Sequence, residues 1–340
     1  MRESNFPGSF LTGTSEIWKA RQRIAGLVER TPLVMNSALN DLFGAKIYLK
    51  LEYLQPTGAF KLRGAANKIL SLKEEERQRG VATFSTGNHG LAVAYVAKQL
   101  GIPAAVFISR RVPQVKADNL RRMGANLVVH GDNQDDAEEF CFRKAGEEGW
   151  NVINPFDDPM VIAGQGTIGL ELLEQEPELD TVVVPLSGGG LISGIALALK
   201  INQPDLRVIG VSMEGSPVMY HSLKADKPVV LKEKDTLADS LLGGIGLDNK
   251  YTFSIVKEYV DDVVLVSEEA IAKAMALFFK VSRAAVEGAA ATPVAALTEH
   301  QVASRGRKTA LIITGNNIDS FNFLNVVGKY IEPEKGYNND

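Results

Sequence analysis

Residues 81–109, VATFSTGNHGLAVAYVAKQLGIPAAVFIS, contain the pattern that decides the fold of this 340-residue chain. Val81–Phe84 and Ala104–Ser109 are short apolar runs typical of buried strands. Between them, the amphipathic run Leu91–Leu100 predicts a helix that ends at Gly101. A strand, a helix and a second strand in this order form the unit from which parallel sheets are built, so the stretch predicts an α/β fold.

The same alternation continues along the chain. Helices are predicted at Val115–Met123 and Asp135–Gly146, and strands at Asn126–His130 and Asn151–Asn154. Because the strands are mostly apolar, we expect a parallel sheet that is covered by helices on both faces. Residues 80–155 are therefore predicted to form a small α/β domain.

A second series of elements predicts a larger α/β domain that comprises residues 1–75 and 158–340. Its predicted strands are Thr181–Pro185, Arg207–Ser212 and Thr309–Thr314, and its predicted helices are Gly169–Glu174, Ile192–Lys200, Glu268–Lys280 and Thr292–Ala303. The charged run Lys73–Gly80 lies between the two predicted domains. It is interpreted as a solvated linker, with an exposed helix end as the alternative.

The composition is that of an ordinary globular protein, with 45% hydrophobic and 23% charged residues. The 37 basic and 41 acidic side chains give a net charge of −4, which argues against binding to nucleic acid or a membrane surface. Cys141 is the single cysteine and fits a reducing compartment. The N-terminal residues lack a signal-peptide core, and no segment has the apolar length of a bilayer span. We therefore expect a cytoplasmic protein.

Lys61 is the first candidate catalytic residue and lies in the run Gln55-Pro56-Thr57-Gly58-Ala59-Phe60-Lys61-Leu62-Arg63-Gly64-Ala65. The lysine follows an aromatic residue where a Pro/Gly turn passes into helix-forming sequence. The positive end of a helix and an apolar pocket both favour the neutral amine, which is the form that attacks a carbonyl. The alternative for this residue alone is an ordinary solvated lysine near a helix start.

The run Ser187-Gly188-Gly189-Gly190-Leu191 is a candidate phosphate site. It follows the predicted strand Thr181–Pro185 and opens a helix, so that backbone N–H groups and the helix dipole can converge on an anion. The Lys and Ser/Thr that a nucleotide-binding loop needs after its glycines are absent, which favours the phosphate monoester of a small cofactor. A flexible turn is the alternative.

Two further runs follow predicted strands and carry polar groups. Ser85-Thr86-Gly87-Asn88-His89-Gly90 opens a helix and suits a carboxylate, with helix capping as the alternative. Thr314-Gly315-Asn316-Asn317 ends a strand at the edge where an α/β sheet presents its ligand groups, with a plain turn as the alternative. A third run, Gly164-Gln165-Gly166-Thr167-Ile168-Gly169, matches a dinucleotide fingerprint but does not directly follow a strand. It is interpreted as a tight helix start.

These motifs together resemble the fold-type II family of pyridoxal-phosphate enzymes, most closely its threonine/serine dehydratase branch, over nearly the whole chain. Further similarities are the run Asn154–Asp158 before Gly164–Thr167, the run Thr236–Asp239 and the run Glu287–Ala289. The lysine motif matches at family spacing through Glu52, Thr57, Phe60, Lys61, Arg63 and Gly64. The resemblance implies two doubly wound domains of the tryptophan synthase β-like kind, with pyridoxal 5′-phosphate in the cleft between them.

The resemblance also implies roles for individual residues. Lys61 would bond to the cofactor and later remove the substrate α-proton, and Phe60 would pack near the ring. Asn88 would hydrogen-bond the ring hydroxyl, Thr314 would face the pyridine nitrogen, and the loop from Ser187 to Leu191 would hold the phosphate. A neutral hydroxyl at position 314 cannot keep the nitrogen protonated, which favours loss of a β-leaving group over transamination.

The substrate would be a β-hydroxy amino acid such as L-threonine or L-serine, with its carboxylate held by the loop Ser85-Thr86-Gly87-Asn88-His89. The expected products are a 2-oxo acid and ammonia. Ala59, Ser187 and the end motif from Thr314 depart from the usual pattern. These departures suggest a side branch of the family, and the runs 85–89 and 185–190 look like the hydroxyectoine-utilisation dehydratases, which are an alternative.

Serine racemase is a second alternative, because related racemases place a protonating serine at the position of Thr86. Those racemases also bind a divalent cation through an acidic pair. Here Glu214 matches one member but Tyr220 replaces the other, so no metal site is predicted. The family suggests a homodimer. A pyridoxal-phosphate binding protein without turnover is the non-enzymatic alternative.

Overall fold

The computed structural model describes residues 14–85, 87–112, 114–132 and 134–331. Within these ranges the strands are β1 (Leu33–Met35), β2 (Lys46–Leu51), β3 (Val81–Thr83), β4 (Ala104–Ile108), β5 (Asn126–Val129), β6 (Asn151–Val152), β7 (Thr181–Pro185), β8 (Arg207–Met213), β9 (Asp262–Val266) and β10 (Lys308–Ile313). The α-helices are α1 (Ser15–Ile24), α2 (Ser37–Phe43), α3 (Lys61–Ser71), α4 (Glu74–Arg79), α5 (Asn88–Leu100), α6 (Gln114–Arg122), α7 (Gln134–Glu148), α8 (Pro159–Gln175), α9 (Gly190–Asn202), α10 (Val218–Ala225), α11 (Thr252–Tyr259), α12 (Glu268–Ser282), α13 (Gly288–Thr298) and α14 (Ser320–Val327). None of these helices has both the length and the apolar character needed to cross a bilayer.

The larger sheet has six strands in the order β1-β2-β10-β7-β8-β9. All neighbouring strands run parallel except the edge pair β1 and β2. Every residue of β7 is buried, as expected for a central strand that is covered on both faces. One core packs β2, β8 and β9 against α12 and α13, and a second packs β7 against α8 and α9.

The smaller sheet has four strands in the order β5-β4-β3-β6, and all of them are parallel. Its strands and the helices α5, α6 and α7 come from one continuous stretch of the chain. Buried Ala, Val and Phe side chains fill both faces, with Phe107 of β4 fully buried. The predicted α/β fold with two mainly parallel sheets is thus confirmed.

The strands β1, β2 and β9 were absent from the prediction. β2 carries Lys50 in its interior, and lysine is uncommon in strands. In the structure Lys50 is fully buried, and its Nζ lies 2.5 Å from Glu171 Oε2. A partner so distant in sequence cannot be read from the local pattern. The charged run Lys73–Gly80 forms the exposed helix α4, which agrees with the alternative interpretation of that run.

The interpretation of residues 164–169 as a helix start is wrong, because these residues lie inside α8. The helix begins earlier, where Asp158 Oδ1 accepts hydrogen bonds from the amides of Met160 and Val161 at 2.8 and 3.2 Å. The glycines allow close helix packing. A Cβ on Gly164 would lie 2.5 Å from the carbonyl oxygen of Arg63 in α3, and one on Gly166 would lie 2.9 Å from a carbonyl of α9.

Two predicted helices begin earlier in the structure than the sequence pattern indicates. The segment predicted as Gly169–Glu174 is the last part of α8. The helix predicted at Thr292–Ala303 already begins at Gly288 and ends at Thr298, with Pro293 inside its first turns. Its early start matters because it places Glu287 at the N-cap position, next to the site described below.

Candidate active site

The turn before Lys61 is joined to the end of β10. The amide of Phe60 donates a 3.0 Å hydrogen bond to the carbonyl of Thr314, and the amide of Asn316 donates one of 3.0 Å to the carbonyl of Gly58. Gly58 has φ +73°, and a Cβ there would lie 2.7 Å from Asn316 Oδ1, so this position requires glycine. The turn therefore extends the sheet, and α3 begins at Lys61 itself.

The amine of Lys61 is held in a largely desolvated position. Its Nζ donates a 2.7 Å hydrogen bond to the carbonyl oxygen of Pro155 and lies 5.4 Å from the centroid of the Phe60 ring. Removal from water lowers the pKa of Lys61 to about 8, although the carboxylate of Glu287 acts in the opposite direction. About a tenth of the amine is then neutral at pH 7, which is the nucleophilic form.

The glycine-rich loop lies between β7 and α9, as predicted. Gly189 has φ +89°, and α9 begins at Gly190. A Cβ on Gly188 would lie 2.6 Å from the ring of Phe156, so a side chain cannot be accommodated there. The first N–H groups of α9 have no intrahelical acceptor and can bind an anion. Leu191 packs its side chain into the core, so only its backbone can face a ligand.

The predicted carboxylate loop lies at the start of α5. Ser85 and Gly87 are partly exposed, whereas Asn88 and His89 are buried in the first turn of the helix. A Cβ on the following residue, Gly90, would lie 2.0 Å from the carbonyl oxygen of Ser85, so the loop folds tightly over the helix end. Thr86 lies outside the described residues, and its predicted catalytic role stays a prediction.

The side chain of Asn88 is bound on both sides by residues without a predicted role. Its Nδ2 lies 3.0 and 3.1 Å from the two carboxylate oxygens of Glu287, and its Oδ1 accepts a 2.7 Å hydrogen bond from Asn317 Nδ2. Asn317 Nδ2 also donates to the carbonyl of Thr57 at 2.8 Å. Both residues lie in recognised motifs, 287–289 and 314–317, but their partner is far away in sequence.

His89 is buried and neutral. Its Nε2 lies 2.9 Å from the carbonyl oxygen of Ile153, and because a carbonyl only accepts, Nε2 carries the hydrogen. Burial, and secondarily the charge of Lys61, lower the pKa of His89 to about 3. Its Nδ1 is therefore a hydrogen-bond acceptor, and it has no partner among the residues that the structure describes.

Thr314 directly follows β10 and is 2% exposed. Its Oγ1 is buried without a partner in the described part of the chain. Such a group costs free energy unless a ligand satisfies it. An anion cradle at α9, a desolvated amine at α3 and an unpaired hydroxyl on the residue whose carbonyl binds Phe60 suit the phosphate, the aldehyde and the ring nitrogen of pyridoxal phosphate. The residues present fit this cofactor.

A buried network of charged side chains holds α3 in place. Arg63 donates to both oxygens of Glu52 at 2.8 Å and to Glu171 Oε1 at 2.6 Å. These two carboxylates raise the pKa of the Arg63 guanidinium against the effect of burial, and Arg63 in turn lowers the pKa of Glu52. With Lys50 bound to Glu171, two cations face two anions. The network holds the helix whose first residue is Lys61.

Glu214 is exposed and directly follows β8. In the ranges given above, no group of three or more His, Cys, Asp or Glu side chains is placed to hold a metal ion.

Comparisons with known proteins relate nearly the whole chain to one family. Residues 24–315 match the family model described as pyridoxal-phosphate dependent enzyme. A Sinorhizobium fredii protein provisionally named threonine dehydratase is 46% identical over 303 residues, which cover 89% of this chain and 91% of that protein. The L-threonine ammonia-lyase of Thermotoga maritima is 43% identical over 304 residues, 89% of this chain and 75% of that enzyme. The solved structure of maize serine racemase has a TM-score of 0.87 at 37% identity and covers 94% of this chain and 97% of its own.

Proposed function

This chain belongs to the family of pyridoxal-phosphate dependent enzymes, and on that premise we propose that it is a dehydratase of β-hydroxy amino acids. The substrate is L-threonine or L-serine. The α-proton and the β-hydroxyl leave as water, and hydrolysis then consumes one water, so that the net products are a 2-oxo acid and ammonia. The names of two relatives, threonine dehydratase and L-threonine ammonia-lyase, support this reaction.

The residues described above would hold the cofactor at its two ends. The amides of the loop Ser187-Gly188-Gly189-Gly190-Leu191 would bind its phosphate, and Lys61 would bond to its aldehyde carbon beside Phe60. Thr314 Oγ1 would face the ring nitrogen, and Asn88 the ring hydroxyl. When bound, pyridoxal phosphate supplies an electron sink that makes the substrate α-proton acidic.

The chain's own groups then bind the substrate and move its proton. The first-turn amides of α5, together with Ser85 and Thr86, would bind the substrate carboxylate. Lys61 Nζ takes the α-proton, which its pKa of about 8 allows near neutral pH. Because His89 is neutral, it places no second positive charge near this amine. Such a charge would lower the basicity of Lys61.

The observation that carries the choice of elimination is the neutral hydroxyl of Thr314, which is buried at the end of β10. A carboxylate at this position would stabilise a protonated ring nitrogen and prolong the life of the deprotonated substrate. A hydroxyl cannot stabilise the protonated nitrogen. Loss of the substrate β-hydroxyl is therefore favoured over transamination.

The test is an assay of the holoenzyme with L-threonine and L-serine, measuring ammonia and 2-oxo acid in the same sample. We expect equal amounts of both products, and loss of both in the K61A variant. Absence of turnover with either amino acid would remove the generic dehydratase proposal. Amino acids derived from hydroxyectoine, added in parallel, test the alternative branch.

Serine racemase is the second candidate, and the fold similarity to the maize enzyme favours it. Thr86 would then protonate the face opposite Lys61. Chiral analysis of serine recovered from the assay distinguishes the two, because a dehydratase leaves only the L form. A protein that binds the cofactor without any turnover is the remaining alternative, and the same assay tests it.

We also propose the wider organisation expected from the sequence. Residues 80–155 would form the small domain, and 1–75 with 158–340 the large one, in keeping with the strands of the two sheets. The exposed side chains of Phe321 and Leu324 on α14 support a homodimer. The buried free thiol of Cys141 supports a cytoplasmic location.

A further inference from the structure

The amide of Asn88 joins parts of the chain that belong to different sheets. Asn88 begins α5, which packs on the smaller sheet, whereas Glu287 directly precedes α13 and Asn317 follows β10 of the larger sheet. Glu287 is 4% exposed, and its negative charge partly offsets the effect of burial on the pKa of Lys61. Asn317 is exposed, so the buried Glu287 makes the stronger of the two contacts.

The two partners fix which way the Asn88 amide faces. A carboxylate only accepts hydrogen bonds, so the Asn88 atom next to Glu287 must be the nitrogen. The Asn317 atom next to the carbonyl of Thr57 must likewise be a nitrogen, and the same atom donates to Asn88 Oδ1. Reversing the Asn88 amide would place oxygen against carboxylate on one side and nitrogen against nitrogen on the other.

This arrangement leaves one N–H group of Asn88 for a ligand. The two hydrogens of an amide nitrogen point in different directions, whereas both Glu287 oxygens lie at similar distances, 3.0 and 3.1 Å, on the same side. The two oxygens therefore share one hydrogen. The second hydrogen can be donated to an acceptor such as an ionised ring hydroxyl.

We propose that Glu287 is a positioning residue that holds the Asn88 amide with its second N–H directed at the ring hydroxyl of the cofactor. The position of Glu287 is itself fixed: its amide donates to the carbonyl of Gly315 at 3.2 Å. A Cβ on Gly315 would lie 2.8 Å from Glu287 Oε1, so the glycine makes room for the carboxylate. The inference rests on the proposed role of Asn88 in cofactor binding.

A double-mutant cycle on cofactor affinity tests this inference. Dissociation constants for pyridoxal phosphate are measured by absorbance titration of the apoprotein for wild type, N88A, E287A and N88A/E287A. We expect each single variant to bind about tenfold more weakly, and the double variant to bind within about twofold of N88A. E287Q should lie within about threefold of wild type, because a glutamine oxygen can still accept from Asn88 Nδ2.

Controls separate positioning from folding. E299Q changes a carboxylate at the other end of α13, where Glu299 accepts a hydrogen bond from Ser267, and should bind the cofactor like wild type. If E287A does not fold, E287D keeps the charge and withdraws it from Asn88, and it replaces E287A in the cycle.

Additive losses, about a hundredfold in the double variant, would overturn the proposal, and so would normal affinity in N88A or E287A. In any of these cases, turnover of threonine or serine by the wild type leaves the proposed dehydratase function standing. Failure of turnover with an intact cycle removes that function alone.

Discussion

The amide nitrogen of Phe60 donates a 3.0 Å hydrogen bond to the carbonyl oxygen of Thr314. This bond pairs the turn before Lys61 with the residue that directly follows strand β10. The lysine and the buried hydroxyl of Thr314 consequently belong to one rigid unit, although they are far apart in sequence. Rigid support of this kind is what a site needs to hold a reactive amine at a fixed distance from its partners.

The first prediction concerns the pH dependence of apoprotein stability. The pKa of Lys61 falls from 10.5 to about 8 on folding, so between these pH values the unfolded chain binds more protons than the folded one. The contribution of Lys61 to stability therefore rises with pH across this window, by at most about 1.4 kcal/mol per pH unit, and is constant below it. The difference in urea unfolding between wild type and K61M should show this slope; a difference independent of pH from 7 to 10.5 would contradict it.

The second prediction separates the two effects of the Thr314 hydroxyl. Because Oγ1 has no partner in the described residues, T314V should leave the free energy of unfolding of the apoprotein unchanged or raise it by about 1 kcal/mol. The same variant should bind pyridoxal phosphate about tenfold more weakly. T309V is the matched control, since Thr309 Oγ1 is also buried and unpaired there, and its cofactor affinity should not change. Equal affinity in T314V and T309V would refute the assigned role.

Much of the fold could be predicted from local sequence patterns, whereas the contacts that hold the site residues in position could not. The strands β3, β4, β7 and β8 could be predicted because their sequences are mostly apolar, as in strands that are buried in a sheet. β2 could not be predicted, since Lys50 is acceptable in a buried strand only because Glu171 lies against it.

The same reason limits the prediction of the site. Lys61 and the glycine loop carry recognisable local signals, and the structure places them at a helix start and at a strand-to-helix turn. Glu287 and Asn317 also lie in recognised motifs, but the motifs do not reveal their roles, because these come from contacts with Asn88 that only the folded chain creates. The roles of the site residues toward the cofactor remain predictions.

The third prediction concerns the glycine loop. G188A places a Cβ 2.6 Å from the Phe156 ring and should displace the loop, lowering cofactor affinity at least about tenfold and stability by about 1–3 kcal/mol. In G146A, by contrast, the new Cβ meets nothing within 4 Å in the helix α7, and stability should rise by about 0.5–1 kcal/mol. Thermal unfolding and cofactor titration measure both; unchanged affinity in G188A would exclude this loop as the phosphate site.

The fourth prediction concerns the charge network under α3. R63M leaves the carboxylates of Glu52 and Glu171 buried with one cation fewer, so the free energy of unfolding should fall by about 3–5 kcal/mol. The exposed pair of Lys144 and Glu147 is the control, because K144M should leave the free energy of unfolding close to that of wild type. Similar small effects in both variants, measured by urea unfolding, would show that the network does not support the helix.

The central claim is that Lys61 is the residue that bonds to the cofactor. Borohydride reduction of the holoenzyme, proteolysis and mass spectrometry locate the attached cofactor directly. We predict a single modified peptide, with the cofactor mass on Lys61, and an unmodified chain in the K61A variant. Modification of a different lysine in the wild type, or none at all after saturation with pyridoxal phosphate, would contradict the account.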